Sequence, residues 1–218
     1  MDILFQTFNV NSLYLIPEPV SISLHNKKLN SIIFHCGYSY IYLARIENGL
    51  LNRNSVKTYS YGMLDVASYF KRMLKQKGDP GNLDIDDVIF LLFDSGKVSL
   101  DFKSEHIDEI EYTFSNGEQM LLSEELYLAP ELLFNPKMIG LDQEGAASAL
   151  KKYLENIVSN VPIILAGGCI FLDGFIDRIN KETEINLTIP EDNLYQEWKG
   201  ASFLVKKKLY KSHSQKSV

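Results

Sequence analysis

Apolar side chains recur every three to four residues in four stretches of the chain, which is the spacing of an amphipathic helix. The predicted helices span residues 64–77, 84–95, 143–158 and 174–184. Gly78 is placed to end the first helix, aspartates from Asp84 onward begin the second, and Asp142 is placed to cap the third. Start or stop signals therefore support three of the four helices.

Short apolar runs predict two buried strands, at residues 31–35 and 161–166, and each run ends near a glycine. Residues 13–24 predict a further extended segment, because Pro17 and Pro19 precede an alternation of apolar and polar residues. A last short strand is predicted at 185–189. Helices and strands thus alternate along the chain.

Two Asn-Gly pairs predict hairpin turns. Asn48-Gly49 joins a strictly alternating strand at 38–46, with its tyrosines on one face, to a strand at 50–59. Asn116-Gly117 joins residues 111–115 to 118–122. Together with the helices, these hairpins predict an α/β fold.

The composition is that of a folded globular protein. Of 218 residues, 45% are hydrophobic and 23% are charged, which excludes disorder as the dominant state. The length suits one domain or two small ones. The net charge of −6, from 22 basic and 28 acidic residues, argues against general affinity for nucleic acid.

Cysteine usage and hydropathy argue against further classes of protein. Cys36 and Cys169 are too few for a disulfide scaffold, and no Cys/His cluster has the spacing of zinc ligands. No apolar run approaches the roughly 20 residues that span a bilayer, and the N-terminal residues lack the pattern of a signal peptide. We therefore expect a soluble protein of a reducing compartment with no membrane partner.

The first candidate site is the turn at Gly167 and Gly168, which leads from a predicted strand toward a helix. Glycines at such a turn allow backbone amides to approach a phosphate, and a helix N-terminus adds a favourable dipole. A tight strand-to-helix turn needs glycines as well, and no lysine or Ser/Thr follows here. On this motif alone, the turn is the simpler interpretation.

The second candidate is the pair His35-Cys36 before Gly37, at the end of the other buried strand. A cysteine with a histidine can form a nucleophile and its base. Adjacent residues of a strand point to opposite faces, however, so a buried thiol beside a partly exposed imidazole is favoured. The sequence predicts no catalytic residue and no metal ligand.

Four segments, in order along the chain, resemble the actin family. Residues 5–20 resemble the segment that leads into the second half of an actin, and 127–140 resemble the signature PE-x-LF-x-P-x-x-x-G. Residues 160–181 are similar to a phosphate-side glycine turn with its helix, and 190–202 to the C-terminal P…W-x-GGS motif. The resemblance implies an actin-like (ribonuclease H-like) fold, mainly one lobe, with a mixed sheet flanked by helices and a helical insertion.

The resemblance also implies a domain organisation. Residues 1–60 and 126–203 would form the larger α/β subdomain, 61–125 a smaller inserted subdomain, and 204–218 a disordered basic tail. The first phosphate loop and the small tip subdomain of an actin have no counterpart in this sequence. The resemblance leaves open whether this sequence is a natural short form or a fragment of a longer actin-like gene.

The resemblance further implies a degenerate nucleotide site. His35 and Tyr38 stand where the second phosphate loop of actins has its two aspartates, Ser39 stands at the loop's last glycine, and Glu18 replaces the glutamine that positions the attacking water. The Lys-Glu pair that meets adenine and ribose in actins falls on Leu92 and Phe93, and the lysine that precedes the tryptophan motif is Leu194. The remnants are Gly37, Gly167 and Gly168. Because triphosphate binding needs a metal site and donors around the charge, we expect no ATP hydrolysis and no ATP or other cofactor.

Short motifs suggest a type within the family. Residues 37–40, 133–136 and 189–191 resemble actin-related protein 6, a type of nuclear subunit found in complexes that exchange histone variants. The resemblance implies a non-enzymatic structural subunit in the nucleus, with a remodeller ATPase and histones as partners. Nucleic acid would be contacted at most indirectly, through the basic tail.

Two alternatives stay open. One is a divergent cytoskeletal actin-related protein in the cytoplasm, a filament or dynein-activator component with residual ATP binding. The other is an ATPase of the same superfold, similar to sugar kinases or chaperones, which would need the aspartates now replaced by His35 and Tyr38.

Overall fold

The structure is a computed structural model that describes residues 2–78, 80–101, 109–155, 157, 161–185, 187, 195–207 and 213–214. The helices are α1 Asp2–Gln6, α2 Glu18–His25, α3 Met63–Lys77, α4 Ile85–Ser95, α5 Glu125–Glu131, α6 Ala146–Glu155, α7 Phe175–Thr183 and α8 Gln196–Lys207. The strands are β1 Ser12–Leu13, β2 Ser31–Cys36, β3 Ile41–Glu47, β4 Leu50–Tyr59, β5 Ile110–Thr113, β6 Gln119–Leu122, β7 Ile163–Ala166 and β8 His213–Ser214. Short 3-10 helices lie at Pro136–Ile139 and Gly168–Phe171.

A four-stranded mixed sheet in the order β4-β3-β2-β7 organises the molecule. β2 pairs antiparallel with β3 and parallel with β7, in a register that places His35 opposite Ala166. All six residues of β2 are buried, as expected for a strand covered on both faces. The predicted α/β fold, a mixed sheet flanked by helices in one lobe-sized unit, is confirmed.

The two faces of the sheet pack against different elements. The larger apolar core contains Phe34, Cys36 and Leu43 from the sheet and extends through α3, α4, α6 and α7. A smaller core on the other face joins Ile33, Tyr42 and Ala166 to Val20 and Ile22 of α2. Alternating residues of β2 therefore point into two separate environments.

The residues predicted to form an inserted subdomain contain the helices α3 and α4 and the β5–β6 hairpin. Buried residues of α3 and α4, such as Phe70 and Leu92, belong to the same core as the sheet. The helix predicted at 84–95 is α4, and Asp84 is its N-cap residue, with a carboxylate that accepts from the Asp86 amide at 3.1 Å. The division into subdomains at 61 and 126 stays a prediction.

Residues 13–24, predicted as extended, form α2 from Glu18 onward. Pro17 is the N-cap residue and Pro19 lies in the first turn, where the missing amide proton of proline leaves no hydrogen bond unmade. The apolar residues Val20 and Ile22 then pack under the sheet. The proline pair therefore marks a helix start and not an extended segment.

The third predicted helix begins later than expected. α6 starts at Ala146, and Asp142 lies exposed, with its Oδ1 3.7 Å from Lys137 Nζ, and does not cap the helix. A Cβ on Gly145 would lie 1.9 Å from the Phe134 carbonyl oxygen, so the chain approaches its neighbour too closely there to continue with a side chain. The helix starts immediately after this close approach.

Two predictions concern the C-terminal part. The tail boundary at residue 204 is wrong, because α8 continues to Lys207 and β8 pairs with β1; the remaining tail lies outside the described residues. Of the predicted strand at 185–189, residues 186, 188 and 189 also lie outside them. Leu187 is held by both atoms of the Asn180 side-chain amide, at 2.8 and 3.0 Å, and is not in a strand.

No helix within the described ranges combines the length and the hydropathy needed to cross a membrane.

Candidate functional site

Two glycine turns meet at one edge of the sheet. β2 ends at Cys36 and β7 at Ala166, and because these strands are parallel neighbours their carboxyl ends lie side by side. Gly37 follows the first strand, and Gly167 and Gly168 follow the second. The fold thus brings together the three glycines that the sequence singled out.

Steric contact explains why glycine occupies these turns. Gly167 has φ +87°, and a Cβ there would lie 2.2 Å from the Cys36 carbonyl oxygen. A Cβ on Gly62, just before α3, would lie 2.5 Å from the Gly37 carbonyl oxygen. The turns interlock backbone against backbone, so their glycines serve packing whether or not a ligand binds.

The N-terminus of α3 is bonded to the Gly37 turn. The amide of Met63 donates to the Gly37 carbonyl at 3.1 Å, and the amide of Leu64 donates to the Tyr38 carbonyl at 2.8 Å. At an open helix N-terminus, these two amides would be free to donate hydrogen bonds to a bound anion. Here they already donate to carbonyl groups of the Gly37 turn.

His35 lies on the opposite face of β2 from Cys36. Its ring stacks on Tyr42 with a centroid distance of 4.7 Å and an interplanar angle of 10°, and Tyr40 lies 5.8 Å away. The side chain is only 9% exposed, and burial lowers the pKa of His35 to about 4. The imidazole is therefore neutral at physiological pH.

Two carboxylates face this imidazole. Glu18 Oε1, at the start of α2, lies 3.7 Å from His35 Nε2. Glu197, on α8, completes a group in which one donor atom from each of the three residues lies within 4.8 Å of the others. Burial and repulsion by Glu197 raise the pKa of Glu18, although the hydroxyls of Tyr42 and Tyr40 favour its ionised form.

The two thiols are unsuited to nucleophilic catalysis. Cys36 and Cys169 are both free and buried, and Cys169 Sγ donates to the Gly37 carbonyl at 3.2 Å. Burial and the neighbouring thiol raise the pKa of Cys36 well above its usual range. Because the Cys36 thiol is buried, protonated and directed away from His35, the two side chains cannot act together in one site.

The other predicted site positions that the structure describes bring no charged side chain to the glycine turns. Tyr38 and Ser39 are exposed, Leu92 is fully buried, and a Cβ on Gly168 would lie 3.8 Å from the Phe93 ring. Phe93 therefore places apolar bulk directly against the second turn. Leu194 lies outside the described residues.

Two of the sequence signatures contact each other. The guanidinium of Arg178 on α7 donates to both carboxylate oxygens of Glu131 on α5, at 3.1 and 3.2 Å, and lies 5.1 Å from the centre of the Phe134 ring. Arg178 also donates to the Ser99 carbonyl. This bidentate pair fastens the segment 127–140 to the helix that follows the second glycine turn.

Three curated proteins illustrate what the chain is similar to. It is 24% identical over 231 residues to an actin-like protein of Neurospora crassa, covering 93% of this chain and 60% of that protein. It is 24% identical over 225 residues to centractin of Schizosaccharomyces pombe, with 92% and 59% covered, and 23% identical over 210 residues to actin-like protein 7B of Mus musculus, with 88% and 49% covered. No family model matches the sequence.

The chain is thus similar over about nine tenths of its length to proteins named actin-like protein and centractin, and its mixed α/β sheet flanked by helices agrees with the predicted actin-like fold. The chain spans between 49% and 60% of the length of these relatives. The comparisons do not separate the actin-related types from one another.

Sequence reasoning missed the grouping of Glu18 and His35 with Glu197. Glu18 and His35 were recognised only as replacements of family residues, and Glu197 not at all, since it lies far along the chain. The regular spacing of Tyr38, Tyr40 and Tyr42 was the available signal, because it predicted a row of tyrosines on one face of β3. Tyr40 and Tyr42 form the wall on which His35 stacks.

Proposed function

We propose that the protein is a non-enzymatic actin-related subunit that holds a multi-protein assembly together without using a nucleotide. The observation that carries this proposal is the position of His35, a neutral and buried imidazole where the resemblance implies a metal-binding aspartate. A Mg²⁺-nucleotide site needs hard oxygen ligands and donors around the phosphates. Phe93 beside Gly168 and the internally bonded amides of Met63 and Leu64 give no such surroundings.

An exposed apolar surface supports an assembly role. We define the α8 apolar surface by Tyr195, Trp198 and Val205, which are 70%, 70% and 61% exposed. Trp198 and Val205 are seven residues apart on α8 and so share one face of the helix. Large apolar residues grouped on a surface mark a protein interface more often than a solvated face.

We assign the subunit to the nucleus, as an actin-related protein 6 type component of a chromatin-remodelling, histone-exchange complex. The support is the resemblance at residues 37–40, 133–136 and 189–191. A remodeller ATPase and histones would be the partners, with nucleic acid contacted at most indirectly through the basic tail.

The second candidate is a cytoskeletal actin-related protein, a component of filaments or of the dynein activator. It is favoured by the 24% identity to a protein named centractin. A cytoskeletal role with residual nucleotide binding predicts that ATP stabilises the chain, which the first candidate does not.

The deciding experiment is a tagged pull-down of the full chain from native nuclear and cytoplasmic extracts, with mass spectrometry of the co-purified proteins. A remodeller ATPase recovered together with histone-exchange subunits supports the nuclear assignment. Actin, dynein-activator subunits or capping protein instead would transfer the protein to the cytoskeletal class.

A variant sharpens this experiment. Trp198→Ser with Val205→Ser removes the exposed apolar side chains of α8, whereas Phe90→Ser on α4 removes another side chain that is 72% exposed. The first variant should lose the partners and the second should keep them. Expressed alone, the chain should be poorly soluble, because the α8 apolar surface then faces water; a dispersed, stable monomer contradicts an obligate assembly.

A further inference from the structure

Three ionisable side chains from three separate elements meet beneath the sheet. Glu18 comes from α2, His35 from β2 and Glu197 from α8, and one donor atom of each lies within 4.8 Å of the other two. His35 Nε2 and Glu18 Oε1 are 3.7 Å apart. This separation is longer than a hydrogen bond, so the residues converge without bonding each other.

The backbones that carry the two carboxylates are fixed by close packing. A Cβ on Gly200 of α8 would lie 1.9 Å from the Ser21 carbonyl of α2, and the Ser21 hydroxyl donates to the Glu197 carbonyl. The buried Gln196 side chain donates to the Leu165 carbonyl of β7 at 3.0 Å. Glu18 and Glu197 therefore face His35 from rigid positions, as a preorganised binding site requires.

The group lacks partners of its own. Within the described part of the chain, His35 Nδ1 is buried without a hydrogen bond, and His35 Nε2 lies 3.7 Å from Glu18 Oε1, beyond hydrogen-bond distance. The His35 side chain is 91% buried, from its 9% exposure. Buried polar atoms are normally paired, and two carboxylates beside a neutral imidazole repel each other. A cation among them would offset the repulsion between the carboxylates and give the imidazole a partner at Nε2.

We propose that Glu18, His35 and Glu197 bind one divalent transition-metal ion, which clamps α2 and α8 to β2. One imidazole nitrogen with two carboxylate oxygens is a donor set that suits Zn²⁺, whereas Mg²⁺ prefers oxygen ligands alone. Tetrahedral Zn²⁺ with donors at about 2.0–2.1 Å separates its ligand atoms by roughly 3.4 Å. The donor atoms are 3.7 Å apart in one pair and within 4.8 Å of one another overall, so binding requires them to move closer together. Glu18 and His35 stand at positions that the actin resemblance gives to the nucleotide site, but Glu197 does not, and the binding proposed here needs no nucleotide and does not rest on the assembly function.

The test is metal binding by the full chain, purified as a soluble fusion and stripped with a chelator. Zn²⁺ titrated by calorimetry should bind saturably at one equivalent and raise the temperature of unfolding. Co²⁺ should give visible absorption bands of a site with nitrogen and oxygen ligands. Mg²⁺ at the same concentration should not displace either ion.

Matched variants assign the site. Removing a residue that only hydrogen-bonds a metal ligand weakens metal affinity by about 10–100-fold. Glu18 and Glu197 would bind the metal directly, so Glu18→Gln and Glu197→Gln should each weaken Zn²⁺ binding by about 100-fold or more. Glu155→Gln, an exposed change at the end of α6, should bind Zn²⁺ like the unaltered chain. These changes keep the shape of the side chain, so they test the ligands even if a His35 variant fails to fold.

Two results would overturn the proposal. One is the absence of saturable Zn²⁺ binding at one equivalent. The other is unchanged Zn²⁺ affinity in both glutamine variants, which would assign the binding to histidines elsewhere in the chain.

Discussion

Two consecutive residues of β2, His35 and Cys36, face two regions that differ in how closely they follow the actin pattern. On the Cys36 side, the glycine turns keep the expected residues, and their backbones touch one another. On the His35 side, the residues that would serve a metal and a nucleotide are replaced by an imidazole between tyrosines and carboxylates.

The difference separates what packing requires from what chemistry requires. Gly167 cannot change without a clash, because its missing Cβ leaves room for the Cys36 carbonyl. By the resemblance, an aspartate at position 35 would serve a ligand and not the packing. A chain without that ligand, as we propose for this one, can carry another side chain there as long as it packs. A glycine turn alone is therefore weak support for nucleotide binding.

The largest effect is expected on the glycine side. Gly167→Ala should destabilise the fold by about 4 kcal/mol or more, because it adds a strained left-handed backbone to a contact of 2.2 Å with the Cys36 carbonyl. Since native domains are stable by about 5–15 kcal/mol, much of the variant should be unfolded. Urea denaturation followed by circular dichroism measures this.

Gly117→Ala is the matched control. Gly117 has nearly the same φ, +86°, but nothing lies within 4 Å of its added Cβ. Only the backbone strain of about 1 kcal/mol remains. Equal losses in the two variants would show that the turns do not interlock as described.

The next effect tests the His35 side through pH. The pKa of His35 is about 4 in the folded chain, below its unfolded value of 6.5. The free energy of unfolding is therefore not reduced by His35 above pH 6.5. It decreases as the pH falls from 6.5 to 4, because the unfolded state binds a proton on His35 before the folded state does. In the presence of a chelator, the loss should be about 3 kcal/mol.

His35→Phe keeps a ring on Tyr42 and removes the titration. Its free energy of unfolding should fall less steeply between pH 6.5 and 4 than that of the unaltered chain, by the amount assigned to His35. Parallel pH curves for the two proteins would mean that the imidazole titrates normally and is not buried as described.

A smaller effect is expected where two signatures meet. Arg178→Ala leaves the carboxylate of Glu131, whose pKa burial already raises, without its bidentate partner. The loss should be about 2–3 kcal/mol, since both side chains are largely but not fully buried. In a double-mutant cycle, Arg178→Ala with Glu131→Ala should lose less than the sum of the single losses. Strictly additive losses of stability would mean that Arg178 and Glu131 do not interact.

Local patterns predicted the strands of the four-stranded sheet and the helices α3, α4, α6 and α7, but not α1, α2, α5 or α8. β2, β4 and both hairpins follow from apolar runs and Asn-Gly turns, since the interactions that fix them are short-range. α2 was predicted wrongly because the proline pair suits both an extended segment and a helix start. The packing of Val20 and Ile22 under the sheet, which no local pattern contains, determines the outcome.

The site was predictable only in part, for a similar reason. The three glycines stand out in the sequence because turns need them, and the fold places them together. Glu197 could not be connected to His35, because its position depends on the contact between Gly200 and Ser21 on two helices distant along the chain. The resemblance to actins identified the replaced positions but not what their new side chains form together.

The smallest effect is expected when one lost residue is restored. Tyr38→Asp should change the free energy of unfolding by less than about 0.5 kcal/mol, because Tyr38 is 49% exposed at the turn. It should also create no affinity for Mg²⁺-ATP in calorimetry, since His35 still occupies the other aspartate position and Phe93 still lies against Gly168. Adding His35→Asp would place a third carboxylate beside Glu18 and Glu197, which repulsion disfavours. Saturable ATP binding by Tyr38→Asp would show that the His35 side retains a nucleotide site, and the distinction between the two faces of β2 would then fail.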